Sequence, residues 1–553
     1  MGSNNMPVQT SRSRQISRRD FLARATACGV AAAGASLATS CRTIEQAFQT
    51  ASAPPTNCDV FVYGSTPGGI SAALEAARRG CRVVLACPKN HAGGMPASGL
   101  STTDAVRREL FGGLVSEFIN GVRKEYRRTS GEHSPDWRLI RDGWYYEPSV
   151  AERVFDQMLE AEAERLQFWR GHHLVGATVT KDRVTHVDLE TAKGERVGIA
   201  AKTFVDGTYE GDLAAAAKVP YRVGREGRDE YGESKAGIHY MDWHTGRQIM
   251  TPDTGEPSPA IQAYCARCIF TVDPDKLVPV EKPSTYEQHL PDFLPLLDDF
   301  STGRVKGFGY GEPLPRRKYQ LNGSITALTS LNCPGVSWAW PEAGRHHRER
   351  LERFHLDHAA GLIWFLQNEP RVPDKIRGLW QRAGRHRDEF ADNGHWPWQI
   401  YVRQGRRIEG RALLTQHSFI VNPKSGRTPR VEHAIALAEH SFDVHPCHDR
   451  RLAVEGFMEG VLWYPQKALG PAQPGQVPYG AMLPKRLNNL LVPVAMSSTH
   501  IAMSVLRMEP VWMTTGQIAG LAAAMAKEQR MDVANLDPDP LPKKLSIRTD
   551  FYA

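Results

Sequence analysis

Four side chains that can transfer protons or bind a metal ion lie within one short segment, Asp443-Val444-His445-Pro446-Cys447-His448. Metal ligands must converge on one point, and they usually come from separated parts of the chain. The close spacing in this segment therefore argues against a metal ion. A nearby carboxylate can instead support a histidine in acid or base catalysis. We predict that His445 is catalytic and that the chain has no metal site.

Two further groups of charged residues could bind an anion. Arg403 and Arg407 are four residues apart, so they would share one face of a helix and could clamp an anionic group, with structural ion pairing as the alternative. Arg507 and Glu509 would point to similar sides if Pro510 keeps the backbone extended. We predict that Arg507 binds an anion in the site, and a buried pair with Glu509 is the alternative.

The elements that must position these groups include a strand, a glycine-rich turn and a helix between residues 58 and 80. The apolar run 60–63 favours a strand that ends at Gly64, and an alanine-rich helix follows to Arg79, with Gly80 as its left-handed cap. The segment 81–87 predicts a second strand. A unit of this size is typical of dinucleotide binding, in which the amides at the start of the helix face a pyrophosphate.

This turn departs from the usual G-x-G-x-x-G pattern. Gly64 and Gly69 occupy its first and third positions, but Thr66 stands in the middle, where its hydroxyl could donate to a phosphate. Pro67 and Gly68 complete the predicted binding turn. The second strand ends in Cys87 where an acidic residue would hold the ribose, and losing such a partner costs about 1.5–3 kcal/mol. Weakened binding is therefore expected, and a turn that binds nothing is the alternative.

The N-terminal segment predicts export. Ser17-Arg18-Arg19-Asp20-Phe21-Leu22 is a twin-arginine pattern, and the Ala/Gly-rich run 25–38 after it is too short and too weakly apolar to span a membrane. We expect the twin-arginine export machinery as a partner and a periplasmic or other extracytoplasmic location. Cys41 follows a poor imitation of a lipoprotein processing site, so simple cleavage is favoured and a lipid anchor at Cys41 is the alternative.

Charge and cysteine usage exclude other classes of protein. The formal charge is +7, but residues 1–40 contain five Arg and one Asp, so only +3 remains, which argues against nucleic-acid binding. The basic pairs 316–317 and 406–407 are expected to have local carboxylate partners. The cysteines are too sparse for a disulfide scaffold. Cys265 and Cys268 are three apart in a predicted strand, so they point to opposite faces and are expected to pack rather than bridge.

Changes in composition divide the chain into segments. The stretch 106–166 is predicted to be helical, 174–208 to be a three-stranded meander and 203–207 to be one more buried strand, and no internal repeat is present. The predicted organisation is a signal segment (1–41), a linker (42–57), the first part of a nucleotide-binding domain (58–225), an inserted substrate domain (226–478), the C-terminal part of the nucleotide-binding domain (479–530) and a tail (531–553).

Several sequence blocks together resemble the FAD-dependent oxidoreductase family, which is related to the glutathione-reductase-like flavoproteins. The likeness runs from about Cys58 to Met525. Its blocks are VYGSTPGGISAALEAARRG (62–80), HAGGMPASGLSTTD (91–104), FVDGTYEGDLAAAAKVPYRVGRE (204–226), WPEA (340–343), DNGHWPWQIYVRQGRR (392–407), LLVPVAMSSTHIAMSVLRMEP (490–510) and GQIAG (516–520). The resemblance implies an α/β fold, in which a Rossmann-like FAD-binding domain carries an inserted mixed α+β substrate domain.

The resemblance also implies FAD as cofactor and extends the list of cofactor-binding residues. The residues outside the glycine-rich turn and Cys87 are Gly93, Gly94, Met95, Asp206, Gly516 and Gln517. Gln404 and Gly405 stand where family members usually have Glu and Ala, which is a third departure after Thr66 and Cys87.

The resemblance implies that the block around His500 lies against the flavin. His500 is therefore the leading candidate for the base that takes a substrate proton. The alternative is that His500 caps a helix or packs on the flavin ring. Arg507 would bind a substrate carboxylate or neutralise the reduced flavin. We expect an exported enzyme that transfers hydride from a small polar, carbohydrate-derived molecule to FAD, with an electron acceptor that the sequence does not identify. A flavin-depleted binding or scaffold protein of the same family is the alternative.

Overall fold

The computed structural model describes residues 56–242, 248–249, 255–324, 329–448, 457–462 and 473–552. The predicted signal segment, Cys41 and nearly all of the predicted linker lie outside these ranges.

The strands are β1 Thr56–Tyr63, β2 Val83–Ala86, β3 Leu166–Trp169, β4 His172–Thr180, β5 Arg183–Thr191, β6 Arg196–Asp206, β7 Tyr221–Arg222, β8 Tyr240–Asp242, β9 Gln248–Ile249, β10 Cys268–Thr271, β11 Leu277–Val278, β12 Glu312–Leu314, β13 Lys318–Leu321, β14 Gly384–His386, β15 Arg407–Ile408, β16 Ala434–Ala438, β17 Phe457–Glu459, β18 Gly475–Pro478 and β19 Leu490–Leu491.

The α-helices are α1 Pro67–Arg78, α2 Gly113–Thr129, α3 Pro135–Leu139, α4 Pro148–Glu160, α5 Asp212–Ala216, α6 Arg228–Tyr231, α7 Tyr286–Phe293, α8 Pro295–Ser301, α9 Arg345–Asn368, α10 Asp374–Trp380, α11 His500–Leu506, α12 Glu509–Gln529 and α13 Pro540–Lys544. None of the helices in the described ranges is long and apolar enough to cross a membrane.

A seven-stranded sheet carries the predicted dinucleotide-binding unit. Its strand order is β3-β2-β1-β6-β5-β4, and β19 pairs with β6. Strands β1, β2, β3, β6 and β19 pair in parallel, whereas β4, β5 and the start of β6 form the predicted antiparallel meander. The mixed α/β fold with a Rossmann-like parallel sheet is therefore confirmed.

The buried strand predicted at 203–207 is present, but it is not an additional element. The parallel register between β1 and β6 runs without a break from Thr56↔Ile199 to Tyr63↔Asp206. The third strand of the meander and the buried strand are therefore one element, β6, in which residues 196–199 pair with β5 and residues 199–206 run beside β1.

Small residues allow α1 and α12 to cross at close range. A Cβ atom on Gly68 would lie 2.9 Å from the carbonyl oxygen of Trp512, and one on Gly516 would overlap the carbonyl oxygen of Gly68. Gly520 is equally close to the backbone of Ala72. This contact explains the small-residue composition of the C-terminal helix, and it joins two segments that are far apart in the sequence.

A second, antiparallel sheet is formed within the middle of the chain, with strand order β11-β14-β10-β13-β12. Both sheets lie in one compact unit, Pro54–Ala553, so the boundaries of an inserted domain stay a prediction. Cys265 and Cys268 are buried and free, as predicted for packing residues. The predicted strand is shorter than expected, because β10 begins only at Cys268 and Cys265 forms an isolated bridge with Tyr401.

Candidate functional site

A cavity of about 630 Å³ lies at the carboxyl ends of β1, β2 and β6. It is lined by the glycine-rich turn (64–66), the end of β2 (87–90), the segment after β6 (208–212), the start of α9 and the loop 398–402. Ligands of open α/β sheets bind in this place, and the volume is typical of small-molecule sites. The cavity is therefore the candidate cofactor site.

The glycine-rich turn has no room for side chains at its first and third positions. Gly64 has φ = +105°, and a Cβ atom there would lie 2.7 Å from the carbonyl carbon of Gly207. A Cβ atom on Gly69 would overlap the carbonyl oxygen of Gly64. The turn thus brings the start of α1, whose first amides have no partner within the helix, to the end of β1.

Thr66 caps α1 instead of presenting its hydroxyl to a ligand. Its Oγ1 accepts a hydrogen bond from the Gly69 amide (3.2 Å) and donates one to the carbonyl oxygen of Gly207 (2.6 Å). The expectation that this hydroxyl donates to a phosphate is therefore wrong, because the hydroxyl is already used. Thr66 does line the cavity, so any contact with a ligand is made by its other atoms.

Cys87 lines the cavity at the end of β2, where the sequence predicted a missing carboxylate. Its Sγ donates to the carbonyl oxygen of Lys89 (3.0 Å), and burial raises the pKa of the thiol, so it stays neutral. Glu352 on α9 also lines the cavity, and its Oε1 lies 2.8 Å from the ammonium of Lys89. Sequence reasoning missed Glu352 because it follows Cys87 by more than 260 residues.

The loop after β2 approaches the cavity through Gly94. Gly93 and Gly94 both have positive φ, and a Cβ atom on Gly94 would lie 2.5 Å from the hydroxyl of Tyr209. The amide of Met95 donates to that hydroxyl (3.0 Å), and the hydroxyl in turn donates to Glu509 (2.7 Å). Gly94 lines the cavity, whereas Gly93 and Met95 support it from behind.

Asp206 and Gln517 are predicted cofactor ligands whose side chains have other partners. Asp206 accepts hydrogen bonds from the amide and hydroxyl of Thr208 and from the amide of Ala214, and burial raises its pKa to about 6. Gln517 accepts from the Leu114 amide and donates to Glu75. The predicted ligands that do not line the cavity are Pro67, Gly68, Gly69, Gly93, Met95, Asp206, Gly516 and Gln517. Their contacts with a cofactor stay predictions.

The opposite wall of the cavity is charged. Asp212 pairs with Arg348 (2.6 Å) and Arg406 (2.9 Å). Burial alone would raise the pKa of Asp212, but these two guanidinium groups hold it below its ordinary value. The basic pair Arg406–Arg407 therefore has carboxylate partners, as expected, since Arg407 bonds to Glu226.

The cavity has free hydrogen-bonding capacity for a dinucleotide. Among the described residues, the side-chain amide nitrogen of Gln399 and Nε of Arg406 are buried without a partner, and both residues belong to the lining. With the glycine cradle at Gly64, these donors match the acceptor-rich phosphates of a dinucleotide. The residues present fit such a cofactor.

His500 begins α11, after the N-cap residue Thr499, and it is not among the residues that line the cavity. Its Nδ1 lies 2.7 Å from Oε1 of Gln404, its amide donates to Glu226, and its Nε2 is buried without a partner. Burial and the neighbouring arginines, Arg225 first, hold the pKa of His500 well below its usual range. The imidazole is therefore neutral at pH 7. Gln404 orients this ring. From the sequence, Gln404 was noted only because family members usually have Glu at this position.

His445 and Arg507 lie together in a second polar region. Nδ1 of His445 lies 2.9 Å from the amide nitrogen of Asn332, and its Nε2 is 3.8 Å from Asp443. Arg507 pairs with Asp443 (2.8 Å) and donates to the Tyr401 hydroxyl (2.9 Å). The alternative pairing of Arg507 with Glu509 is wrong, because helix α12 starts at Glu509 and directs that side chain to Tyr209.

The predicted clamp of Arg403 and Arg407 is also not formed. The segment 399–406 is not helical, and Arg407 lies in β15, where its guanidinium bonds to Glu226 (2.8 Å). Arg403 instead lies over the ring of Tyr401, 4.8 Å from its centre. The ion-pair alternative is thus confirmed for Arg407 alone.

Two groups of metal-capable side chains lie close together among the described residues. His289, Asp292 and His358 form one group with ligand atoms within 4.8 Å of one another, and His433, Asp537 and Asp539 form an exposed one. The segment 443–448 forms no such group among the described residues. His289 also stacks edge-to-face on Phe354 and His358, as a packed core residue does.

Comparison with solved structures returns distant matches, among them two proteins described with FAD. The myxobacterial chondrochloren halogenase CndH, a FAD-dependent halogenase, aligns at 15% identity over 39% of this chain and 44% of its own, with a TM-score of 0.24. The glycerol-3-phosphate dehydrogenase from Bacillus halodurans, solved with FAD, aligns at 15% identity over 35% and 44%, also at 0.24. THI4 from Thermovibrio ammonificans aligns at 17% identity over 35% and 76%, at 0.22. The chain spans less than half the length of the first two proteins.

No curated protein matches this chain. The match to a protein family is far more extensive, because residues 59–545 match the family described as FAD dependent oxidoreductase. That range holds the glycine-rich turn, the cavity and both histidine regions. The chain therefore belongs to the FAD dependent oxidoreductase family, and it is an oxidoreductase that uses FAD as its cofactor.

Proposed function

We propose that this oxidoreductase oxidises a small polar, carbohydrate-derived alcohol and that His500 accepts the hydroxyl proton. Bound FAD supplies the hydride acceptor. The residues that would hold it are those of the cavity, namely the glycine-rich turn, Cys87, Gly94 and the donors Gln399 and Arg406. The remaining task of the protein is to place a neutral base beside the substrate.

The observation that carries this proposal is the hydrogen bonding of His500. The Gln404 oxygen can only accept, so Nδ1 of His500 must be the protonated nitrogen. Nε2 then holds a lone pair, and it has no partner within the described residues. A buried neutral imidazole with one fixed N–H and one free lone pair is suited to accept a proton from a hydroxyl.

His445 is the competing base, and its hydrogen bonding is less favourable. The amide nitrogen of Asn332 can only donate, so the lone pair at Nδ1 of His445 is already used. The proton then resides on Nε2, which faces Asp443. This tautomer has no free lone pair, which favours His500.

Three aromatic residues in the loop 396–401 are of the type that stacks on sugar rings, but each of them has a partner within the protein. Trp398 stacks on His91 with ring centres 4.6 Å apart, Trp396 packs edge-to-face on Phe270, and Tyr401 lies among arginines. The proposed alcohol substrate therefore depends on the base and not on an aromatic wall.

A panel of sugars and alditols, mixed anaerobically with the yellow holoenzyme, tests this proposal. At least one of them should bleach the oxidised-flavin absorbance in the wild type and in His433→Ala, a control at an exposed histidine paired with Asp539. His500→Ala should stay yellow over the same time. Equal bleaching in His500→Ala would overturn the assigned base. A wild type that no alcohol bleaches would overturn the substrate class.

We also propose export by the twin-arginine pathway, which is supported by the motif at Arg18 and Arg19 alone. Replacing both residues with Lys should leave unprocessed precursor in the cytoplasm, detected by fractionation and mass spectrometry. Normal export of the double variant would contradict the proposal.

The alternative function is that of a flavin-depleted binding protein of the same family. A colourless protein after purification would favour this alternative.

A further inference from the structure

Three buried arginines surround the ring of Tyr401. The guanidinium carbons of Arg267, Arg403 and Arg507 lie 5.3, 4.8 and 5.8 Å from the ring centre. The residues are 4%, 0% and 3% exposed, so these charges are removed from water. They come from three distant segments, and only the tertiary fold brings them together.

Carboxylates neutralise this group incompletely. Arg507 pairs with Asp443, but neither Arg267 nor Arg403 has a carboxylate within 4.0 Å among the described residues. Arg403 donates to the carbonyl oxygen of Ala263 and to Sγ of Cys265 (3.2 Å). Arg267 donates to the carbonyl oxygen of Leu100 (3.3 Å). Two of the three guanidinium groups therefore face neutral partners.

The other groups around this site leave an excess of positive charge. Asp104, which is half-buried, interacts electrostatically with Arg267 and Arg507, so within the described parts of the chain Asp104 and Asp443 are the carboxylates found beside the three guanidinium groups. Burial and the charges of all three arginines hold the pKa of His445 well below its usual range, so this imidazole is neutral. A buried charge without a partner is costly, and this surplus calls for one more negative charge.

Unused hydrogen-bonding atoms mark the place where an anion would bind. Nε of Arg403 and Nε of Arg507 are both buried without a partner within the described parts of the chain. The side chain of Asp443, which holds Arg507, is still 24% exposed, so the group reaches solvent at this edge. Arg403 is followed directly by Gln404, which orients His500.

We propose that Arg267, Arg403 and Arg507 form a binding site for the carboxylate group of the substrate, which makes the substrate a hydroxy acid. The inference rests on the proposed alcohol oxidation, because the carboxylate would fix the molecule while His500 accepts the proton from its hydroxyl. Guanidinium groups match the planar, two-oxygen shape of a carboxylate. The surplus of one charge suits a monoanion better than a doubly charged phosphate.

Binding to the oxidised holoenzyme tests this site without turnover. The perturbation of the flavin absorbance is titrated with lactate and gluconate, with the neutral analogues lactamide and glucitol, and with glycerol 2-phosphate. Wild type should bind the carboxylates at least tenfold more tightly than their neutral analogues and more tightly than the phosphate. Equal affinity for charged and neutral probes, or a preference for the phosphate, would overturn the proposal.

Variants assign the effect to the arginines. Arg403→Gln should weaken carboxylate binding roughly 10- to 100-fold, as expected for a lost charged hydrogen bond, and leave FAD content and glucitol binding unchanged. Arg403→Lys should restore part of the affinity. Arg427→Gln is the matched control, because Arg427 is exposed and lies over the Tyr552 ring at 5.4 Å.

The outcomes separate this site from the proposed reaction. Tight carboxylate binding without bleaching of the flavin by any hydroxy acid would keep the anion site and contradict alcohol oxidation. Arg403→Gln with unchanged carboxylate affinity but a shifted flavin reduction potential would overturn the site, since the arginines would then serve the flavin. If Arg403→Gln does not fold, the comparison of lactate with lactamide in the wild type decides alone.

Discussion

The glycine-rich turn (64–69) differs from the buried region around Tyr401 and His500, which is called the interior below. The two regions differ in how their polar groups are paired. In the turn, the polar groups of Thr66 and Asp206 are bonded to nearby backbone, and Gly64 and Gly69 are required because the backbone itself fills the space. In the interior, Arg403 and His500 are buried with polar atoms that have no partner in the described chain. The polar side chains of the turn have their hydrogen-bond partners within the protein, whereas the unpaired polar atoms of the interior need a ligand as their partner.

This difference separates two kinds of functional residue. Residues of the turn act through the position of the backbone, so substitutions there should affect folding and cofactor binding together. Residues of the interior already carry a desolvation cost in the folded state. Their substitution should change chemistry or ligand affinity more than stability, and the following experiments test that contrast.

The largest effect is expected for His500→Ala in the interior. Loss of a general base slows the step it assists by roughly 10²–10⁴-fold, so reduction of the flavin by substrate should slow by that factor. Rapid-mixing absorbance measures this rate, and reoxidation of the reduced flavin should stay unchanged. His445→Ala is the comparison, and if it alone slows reduction, the base belongs to the region of Asp443 and the tautomer argument fails.

A change in the turn should act on folding instead. Gly69→Ala places a methyl group against the carbonyl oxygen of Gly64, and we expect a loss of about 3–5 kcal/mol in the free energy of unfolding, with FAD lost as well. Urea denaturation measures this loss. Gly80→Ala is the matched control, since Gly80 has positive φ but open space around it, and its cost should be only about 1–2 kcal/mol. Equal costs for the two variants would contradict the tight turn.

Glu509 lies between the two regions and should make stability depend on pH. Burial raises the pKa of Glu509 to about 8 from 4.5, so between these values the unfolded chain loses this proton while the folded protein keeps it. Its contribution therefore destabilises the fold progressively as pH rises from 4.5 to 8, by a few kcal/mol in total. Glu509→Gln should remove that slope, measured by urea denaturation across this range. The exposed Glu528→Gln on the same helix should leave it unchanged, and an unaltered slope in Glu509→Gln would refute the shift.

The smallest effect is expected for Cys87→Glu at the edge of the turn. If the ribose lacks a carboxylate acceptor, this change should lower the dissociation constant for FAD by about tenfold, whereas Cys87→Ala should have little effect. Titration of the apoprotein with FAD measures both. An unchanged constant would mean that another residue has this role, and Glu352→Gln should then weaken binding.

The local pattern was sufficient to predict the elements whose form depends on neighbouring residues. The strand before Gly64, the helix after Thr66 and the meander were predicted because apolar periodicity and turn residues act within a few positions. The continuous strand β6 was missed because its second half is defined by pairing with β1, which the local pattern does not contain. The ion pair of Arg507 with Asp443 and the hydrogen bond from Tyr209 to Glu509 were missed for the same reason.

The sequence by itself determined the family of this protein, because the order of the matching blocks along the chain is visible without a structure. It also determined the turn that begins the cofactor cavity, because the residues of that turn are contiguous in the chain. Only the tertiary structure decided which charged groups meet. Arg267, Arg403 and Arg507 share one tyrosine ring, and Gln404 sets the tautomer of His500. Such pairings depend on distances in space between segments far apart in sequence, and on burial, which strengthens every charge that the fold removes from water.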